Sequence, residues 1–561
     1  MKAVKLQKGS WTTWAFNSIC LKLEIKLEST AIELFLFKTK DVRFTLKEIL
    51  LSLGVLMSMR SALLSGLSLL SFFLYFPVYA SVQNTEKAAK QIFNEYLEYL
   101  TLPNVATQSS PDIQKVAEWT AKKYSQYGLK TQLLENNGQP MLYADYMQAG
   151  EDAPTLLFYA HMDGQPVNPE LWDQESPWKP VLKVKENEGW TTKPLSMLTG
   201  DIDPDWRIFA RSASDDKAPI MMLLAAIHAL ASNSTTPSIN IKVILDSNEE
   251  GGSPTLAKVI DSNKSLLSAD AVVILDGPMH PSNAPTVVFG HRGATLVRIT
   301  VYGPVSDSHS GHFGNYIQNP AFMLSTLLAG MKNENGQVTI PRYYGDTPLS
   351  ESEKQVLSAI PIDEKALLNR LGVAKAESVG GNYYEAISLP SLNVNGLSAA
   401  STTAVRTIVP AEATASIDIR TTKAAYSARQ VALLKDYIVS KGYHIIDKAP
   451  TLAQRQQHEK LVRFEVREGT DALQTPLDTP VGLWAKEALQ PVSDDQVILI
   501  PLMGGTVPTA PLVKSLNKPA ILIPLVNADN NQHAPNENLR IGNFYSGTES
   551  LYHLFTTPYA Q

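Results

Sequence analysis

Cysteine is almost absent from this sequence, whose 561 residues include only Cys20. If the first 80 residues are removed, as argued below, the mature chain has no cysteine, which excludes disulfides and thiolate metal ligands. The G-x-S-x-G motif of a serine-hydrolase elbow is also missing, so that class fits poorly. Any bound metal would therefore be held by histidine and carboxylate side chains.

Low-complexity tracts and an excess of basic charge are missing as well. Charged residues make up 19% of the chain and apolar residues 44%, as in well-folded globular proteins. The first 80 residues hold 10 of the 49 basic and 5 of the 55 acidic residues, which leaves 39 and 50 and a net charge of −11. This charge argues against nucleic acid as a partner. The length predicts two domains behind an N-terminal extension.

The N-terminal extension contains an apolar run, residues 61–80, that follows a basic residue and ends in small side chains. This is the pattern of a secretory signal peptide. The run is nearly long enough for an uncleaved membrane anchor, but its small final residues favour cleavage before Ser81. We therefore predict a secreted or periplasmic protein without a stable membrane anchor. Residues 1–56 are an unusual leader for export, so we expect the true start at Met57 or Met59.

The rest of the chain alternates helical and strand-like patterns. Residues 86–127 have a helical pattern, and residues 218–231 predict a buried helix. Four short apolar runs predict buried strands at Thr155–Ala160, Ile239–Leu245, Ala271–Leu275 and Ala520–Leu525. Strands rich in Val, Ile and Leu between helices predict an α/β fold with a sheet covered by helices on both faces.

The pattern changes in the middle of the chain. Residues 295–302 and 413–419 alternate apolar and polar side chains, which is typical of antiparallel strands with one exposed face. The α/β pattern resumes towards the C terminus. We therefore predict a catalytic domain formed by residues 81–292 and 473–561, with an α+β lid or dimerisation domain, residues 293–472, inserted into it.

Histidine and acidic residues follow the predicted strands or precede the buried helix. They are His161 and Asp163, Asp215 and Asp216, Glu249 and Glu250, Asp276, and His533. In open α/β sheets, ligands bind outside the carboxyl ends of the strands, so these segments are expected to converge on one rim. Taken singly, each has an ordinary structural explanation, such as a helix cap or a solvated turn. Taken together, they supply the ligands that zinc uses when cysteine is absent and predict a metal centre.

Six motifs occur in an order that is known from one enzyme family. They are YAHMDGQP, ARSASDDKAP, SNEEGGSP, ILDGP, HSGHFGNYIQNPA and HAPNE. From about residue 86 onward the chain resembles metallopeptidase family M20, which includes carnosinase-like dipeptidases, glutamate carboxypeptidase, succinyl-diaminopimelate desuccinylase and aminoacylase. The resemblance is highly specific for the family and weakly specific for the substrate. It implies a mixed sheet of the zinc-peptidase type with a lid domain.

The resemblance also implies two Zn²⁺ ions per subunit, with Mn²⁺ or Co²⁺ as alternatives. One ion would be bound by His161, Asp215 and Asp276. The other would be bound by Asp215, Glu250 and His533, so that Asp215 bridges the two. Two such ions and three carboxylates leave the site net positive, which favours a bound hydroxide as the nucleophile near neutral pH. The peptide bond after the bridging aspartate is expected to be cis.

Three further residues would take part in catalysis. By the same resemblance Glu249 would be the general base and Glu250 a metal ligand. Neighbouring residues in an extended chain point to opposite sides, so one glutamate can face a metal while the other faces the substrate. The residues alone leave open which glutamate does which. Asp163 would hold the imidazole of His161. His309 would reach the active site of the partner in a homodimer and stabilise the oxyanion there, unless it is a loop histidine without a role.

Four residues would bind the substrate by the same resemblance: Thr407, Arg420, Gly505 and Thr506. Arginine suits a carboxylate because its planar fork matches it, although an ordinary salt-bridged strand arginine is an equal alternative. Met503 stands where carnosinase-like relatives tend to carry an acidic residue near the free amine of a dipeptide. A thioether cannot pair with an ammonium group.

The sequence thus predicts a hydrolase of dipeptides or short peptides with a free C-terminal carboxylate. The nearest alternative is an N-acyl amino-acid amidohydrolase with the same site, which Met503 leaves open. A non-catalytic binding protein on a retained hydrolase fold is the alternative of another class, and the complete set of ligands and base argues against it. The other histidines lack a convergent ligand pattern and are expected to be structural or exposed: His228, His280, His291, His312, His444, His458 and His553.

Overall fold

The computed structural model describes three N-terminal strands and residues 85–560, except residues 188, 201 and 346–348. Residues 1–81 and residues 82–561 form two compact units. In the first unit, three strands pair antiparallel in sequence order: Thr12–Ala15, Leu21–Glu28 and Ala31–Lys38.

The predicted signal peptide, residues 61–80, lies outside the described residues. Within the described part of the chain, every helix is too short or too polar to cross a lipid bilayer.

An eight-stranded mixed sheet forms the centre of the second unit. Its strands, in spatial order, are Ile498–Ile500, Thr286–Val288, Ala520–Leu522, Ala271–Ile274, Thr155–His161, Asn240–Asp246, Met141–Tyr146 and Lys130–Leu134. Strand Thr155–His161 lies between Ala271–Ile274 and Asn240–Asp246 and is parallel to both. Their carboxyl ends therefore meet at one edge of the sheet. All four strands predicted from the apolar runs are present.

Helices cover both faces of this sheet. Side chains on alternate strand positions, such as Phe158 and Val243, pack against the first group of helices, and Leu157 and Ile244 pack against the second. The first group comprises residues 85–100, Ser110–Gln126, Lys217–Ser232, Pro480–Leu489 and Ile541–Thr556. The second comprises Leu256–Ser262 and Ala510–Leu516. The predicted α/β fold with a doubly covered sheet is confirmed.

A five-stranded sheet forms the lid. Its strands, in spatial order, are Ser391–Ser398, Glu412–Thr421, Gly293–Tyr302, Leu461–Thr470 and His444–Ile446. All neighbours are antiparallel except the last pair. Helices Pro320–Ala329 and Ser427–Ser440 contribute to its apolar core. These strands lie within the predicted insertion, whose boundaries at residues 293 and 472 stay a prediction.

The lid also contains several short elements. Its remaining helices are Ser310–Phe313, Glu351–Ala359, Glu364–Leu371, Tyr383–Ile387 and Leu452–Gln457. A two-stranded pair within the lid joins Ser308–His309 to Ile408–Val409. A second pair, Gly290–His291 with Leu473–Gln474, lies just outside the predicted lid boundaries.

A four-stranded antiparallel sheet brings two distant loops together. Its strands, in spatial order, are Asn538–Arg540, Arg207–Phe209, Val181–Glu186 and Gly189–Lys193. Single 3-10 turns occur at Pro169–Leu171, Leu195–Met197 and Gln490–Val492. Because Asn538–Arg540 pairs with Arg207–Phe209, the loop before the first strand lies beside the loop after the second.

His291 is a buried histidine outside the predicted metal centre. Its Nδ1 donates to the carbonyl oxygen of Arg292 at 3.1 Å, and Thr509 Oγ1 lies 3.5 Å from its Nε2. Burial lowers the pKa of His291 to about 4. In the unfolded chain the ring takes up a proton near pH 6.5, whereas in the folded protein it stays neutral down to about pH 4. The contribution of His291 to the free energy of unfolding is therefore fully present above pH 6.5 and is lost as the pH falls towards 4.

We expect His291→Asn to reduce the loss of unfolding free energy that occurs when the pH is lowered from 6.5 to 4. A pKa difference of about 2.5 units corresponds to about 3 kcal/mol of unfolding free energy lost between pH 6.5 and pH 4. Urea unfolding of metal-free protein at both pH values measures this loss, and the variant should show less of it. His444→Asn, at an exposed lid histidine, is the control. Equal pH dependence in wild type and the His291 variant would contradict the prediction.

Candidate metal centre

The five predicted metal ligands lie together at the rim of the large sheet. His161 Nε2 is 2.9 Å from Asp215 Oδ1, and His533 Nε2 is 3.1 Å from Asp215 Oδ2 and 3.4 Å from Glu250 Oε2. Their ligand atoms form two groups, each within 4.8 Å: His161, Asp215 and Asp276, and Asp215, Glu250 and His533. Asp215 belongs to both groups, as the resemblance implies. That these residues bind metal stays a prediction.

The topology explains this convergence. His161 is the last residue of the central strand, and Asp276 follows the neighbouring strand by two residues. Asp215 lies immediately before the buried helix, and the Asp215–Asp216 peptide bond is cis, as expected. His533 lies in the loop before strand Asn538–Arg540. His161, Asp215 and Asp276 therefore come from the ends of rigid elements, which suits a preformed site, whereas His533 comes from a loop.

Glu249 and Glu250 lie in a turn that begins two residues after strand Asn240–Asp246. The argument from an extended chain is therefore wrong, because the strand ends before either glutamate. Instead, Asp163 holds the turn: its Oδ1 accepts from the Glu249 amide at 2.9 Å and its Oδ2 from the Glu250 amide at 3.1 Å. Glu250 belongs to a ligand group and Glu249 to neither.

Asp163 also contacts His161. The Nδ1 of His161 is 3.1 Å from the backbone oxygen of Asp163 and 3.4 Å from its Oδ1. A proton on Nδ1 is satisfied by these oxygens, which leaves the Nε2 lone pair directed towards Asp215. The contact has the form of the hydrogen bond that orients ligating histidines in metal sites.

Crowding of the carboxylates makes this site chemically unusual. Burial, followed by the charge of Asp215, raises the pKa of Glu250 to about 7 and that of Asp276 to about 6. A hydrogen bond to Asp215 raises the pKa of His533 to about 9. Several buried carboxylates this close together are stabilised in their charged forms by cations. The nitrogen and oxygen donors, three in each group, also fit zinc with open coordination positions.

Two contacts at the site were missed by the sequence analysis. Gln165 Nε2 donates to Glu250 Oε2 at 2.5 Å, and Glu537 accepts from the backbone amide of Asp215 at 2.9 Å. Both residues lie inside quoted motifs. Their partners are far away in sequence, so no local spacing indicated these contacts.

The predicted substrate-binding residues fall into two places. Arg420 Nη1 donates to Thr506 Oγ1 at 2.8 Å, beside Gly505 in the chain, and Thr506 Oγ1 donates to the carbonyl oxygen of Arg292 at 2.8 Å. Arg292 also donates from Nε to the carbonyl oxygen of Gly504 at 3.2 Å. The sequence analysis missed Arg292, whose side chain supports the same loop.

Thr407 and His309 lie together elsewhere in the lid. The amide of Ser310 donates to the carbonyl oxygen of Thr407 at 2.9 Å, and the amide of Gly311 donates to Nδ1 of His309 at 3.0 Å. Within the described part of the chain, neither side chain forms a hydrogen bond to a candidate metal ligand.

Met503 lies beside the segment that carries Asp276. A β-carbon placed on Gly277 would be 3.8 Å from the sulfur of Met503. The thioether therefore contributes an apolar surface next to the metal-ligand candidates.

Comparison with known proteins gives a consistent result. The model of peptidase family M20/M25/M40 matches residues 157–557. The chain is 25% identical over 468 residues to the Cys-Gly metallodipeptidase dug1 of Schizosaccharomyces pombe, covering 80% of this chain and 91% of the relative. It is 26% identical over 417 residues to the Beta-Ala-His dipeptidase of Homo sapiens, covering 72% and 75% respectively.

A solved structure has a similar fold. It is the M20 family metallo-carboxypeptidase Sso-CP2 from Sulfolobus solfataricus, with a TM-score of 0.66 and 25% sequence identity. The match covers 83% of this chain and 98% of that protein.

Proposed function

The chain belongs to peptidase family M20/M25/M40 and is a metal-dependent hydrolase, and from this premise we propose that it is a dizinc peptidase of dipeptides or short peptides with a free C-terminal carboxylate. The observation that carries the proposal is the pair of ligand groups that share Asp215. The names of the relatives, a Cys-Gly and a Beta-Ala-His dipeptidase, support a dipeptide substrate.

The ligands would hold two divalent cations, His161 and Asp276 on one side of Asp215 and Glu250 and His533 on the other. Zinc fits this set of imidazole and carboxylate donors, as do Mn²⁺ and Co²⁺. When bound, such ions supply Lewis-acid activation of water and of the substrate carbonyl.

Glu249 is the general base of the proposed reaction. It lies outside both ligand groups, and Asp163 fixes its backbone. Burial, with the charges of Asp276 and Glu250 among its neighbours, raises the pKa of Glu249 well above its usual value. A carboxylate of raised pKa takes a proton from water more readily and can then deliver it to the nitrogen of the leaving amine.

The carboxylate end of the substrate is assigned to Arg420 with Thr506 and Gly505. The guanidinium group and the threonine hydroxyl already share a hydrogen bond, which preorients the fork for an anion. Arg420 also contacts Asp418 at 3.3 Å, the pattern of an ordinary strand salt bridge. A substrate-binding role and a purely structural role of Arg420 predict different effects of its removal on substrate binding.

We expect Arg420→Ala to raise KM for a dipeptide by about 10- to 100-fold, because a hydrogen bond to a charged group is worth about 1.5–3 kcal/mol. Steady-state kinetics with a dipeptide and its C-terminal amide separate the explanations, since only the dipeptide should be affected. Arg463→Ala is a matched control. Arg463 lies in the same sheet of the lid and likewise forms a salt bridge with an acidic residue two positions further along its strand, Glu465. Equal effects on both substrates would assign Arg420 to the lid's structure.

A homodimer through the lid completes the proposal, since among the described residues neither the His309 nor the Thr407 side chain forms a hydrogen bond to a ligand candidate. Exposed apolar side chains of the lid support it: Val305, Phe313, Tyr316, Phe322 and Val405. Large exposed apolar side chains in one region are typical of interfaces.

We expect the wild-type protein to have the mass of a dimer in solution, and Tyr316→Glu combined with Phe322→Glu to be monomeric and inactive. Light scattering gives the mass. The control is Leu371→Glu, at an exposed leucine elsewhere in the lid, and this variant should remain dimeric. A fully active monomer would exclude a catalytic His309 from the partner.

An N-acyl amino-acid amidohydrolase is the second candidate, because Met503 lies beside Gly277 and offers no charge to a free amine. Purified protein should be loaded with Zn²⁺, Mn²⁺ or Co²⁺ and assayed on a dipeptide panel and an N-acetyl amino-acid panel. Cleavage of the second panel alone would replace the peptidase proposal. Absence of turnover on any amide by metal-loaded protein would favour a non-catalytic binding protein.

Secretion or export to the periplasm is proposed from residues 61–80, whose sequence has the pattern of a cleaved signal. N-terminal sequencing of the protein from its native host should begin at Ser81. Recovery with residues 61–80 still attached in the membrane fraction would indicate an anchor instead.

A further inference from the structure

Glu537 is a fully buried carboxylate outside both ligand groups. It lies four residues after His533 and accepts four hydrogen bonds, two at each oxygen. Oε2 accepts from Arg211 Nη1 at 2.8 Å and the Ser212 amide at 2.9 Å, and Oε1 accepts from the Ser214 and Asp215 amides, both at 2.9 Å. Its carboxylate is therefore bound by the loop that ends at the shared ligand Asp215.

Further contacts join the same two loops. Ser214 Oγ donates to the carbonyl oxygen of Asn538 at 2.8 Å, and the amide of Ala210 donates to the carbonyl oxygen of Glu537 at 3.1 Å. They continue the pairing of strands Asn538–Arg540 and Arg207–Phe209. Glu537 thus extends this pairing from the two strands to the amide of Asp215.

Both loops contain residues in the left-handed region of backbone space. Ser212 has a φ of 59° and His533 a φ of 60°. Non-glycine residues persist there only where the surroundings hold them. Glu537 accepts directly from the amide of Ser212 and lies at the C-terminal end of the loop that carries His533.

We propose that Glu537 is a positioning residue of the metal centre, one that fixes the backbone of Asp215 relative to His533. This inference rests on the proposed function. A carboxylate offers two oxygens to four donors, whereas the amide of glutamine offers one oxygen and would turn its own N–H groups towards two of them. Loss of the second oxygen frees the backbone at Ser214 and Asp215 or at Arg211 and Ser212. Either change displaces the carboxylate that the two ligand groups share.

The test uses full-length protein, stripped of metal and titrated with Co²⁺. We expect Glu537→Gln to weaken Co²⁺ binding by about 10- to 100-fold, the usual cost of losing a residue that supports metal ligands. At saturating Co²⁺ we also expect weaker magnetic coupling between the two ions, because this coupling would depend on how the ligands that the ions share are positioned. Glu549→Gln, at a largely buried glutamate in helix Ile541–Thr556, is the matched control and should leave both measurements unchanged.

Glu537→Asp keeps the charge and both oxygens on a shorter side chain. It should therefore show smaller losses of Co²⁺ affinity and magnetic coupling than Glu537→Gln. If the glutamine variant does not fold, the aspartate variant serves as the test. Wild-type Co²⁺ affinity and coupling in a folded Glu537 variant would overturn the inference. So would equal losses in Glu549→Gln, because they would show a general effect of removing a buried charge. Wild-type protein that binds no Co²⁺ would instead refute the proposed function.

Discussion

Glu249→Gln is expected to lower kcat by about 10³- to 10⁴-fold, near the upper end of what a general base contributes. Glutamine keeps the size of the side chain and its buried position but cannot accept a proton. Because Glu249 belongs to neither ligand group, the variant should bind two metal ions as the wild type does. Kinetics combined with metal analysis on the same preparation give both values.

Glu250→Gln is the contrasting variant. Glu250 lies 3.4 Å from His533 within a ligand group, so its replacement should lower metal content together with activity. If instead Glu249→Gln lost metal and Glu250→Gln retained two ions without turnover, the roles of the two glutamates would be reversed. Unchanged turnover in Glu249→Gln would point to a different base.

Asp215→Asn is expected to abolish binding at both ligand groups, because its two oxygens face His161 and His533 separately. An amide supplies one oxygen and no charge, so it cannot serve two cations. Wild-type protein should gain about 2.7 kcal/mol of unfolding free energy for each bound ion at a metal concentration 100 times that site's Kd. The variant should gain almost none and show no measurable turnover.

Urea unfolding with and without added Zn²⁺ measures this difference. Asp447→Asn, at an exposed lid position, should retain the full metal-dependent gain. An Asp215 variant that is stabilised by metal as much as the wild type would contradict the shared-ligand arrangement.

The sequence was most informative where function depends on the ends of strands. His161 and Asp276 could be placed together because apolar strands precede both, and parallel strands direct their carboxyl ends to one edge. His533 and Asp215 are less local, and the family resemblance rather than the spacing linked them. The mixed sheet with a lid was predicted for the same reasons.

Contacts made by polar side chains over long sequence distances could not be predicted. Glu537 binds amides more than 300 residues away, and Arg292 meets Gly504, which lies 212 residues further along the chain. A turn at Glu249 and Glu250 was considered only as the ordinary structural explanation, although Gly251 and Gly252 favour one. The hydrogen bonds from this turn to Asp163 were missed. Such interactions depend on the finished fold.

The order of the ligands along the chain has a consequence for biosynthesis. His161, Asp215 and Asp276 precede the lid, whereas His533 follows it, roughly 250 residues after Asp276. At about 5–20 residues per second, a ribosome needs about 10 to 50 seconds to synthesise that stretch. During this interval the nascent polypeptide displays one set of three ligands without its companion, and without strand Ala520–Leu522 to complete the sheet beneath them. On the proposed metal assignment, the set of ligands that contains His533 can therefore be completed only after the whole lid and the C-terminal segment have been synthesised.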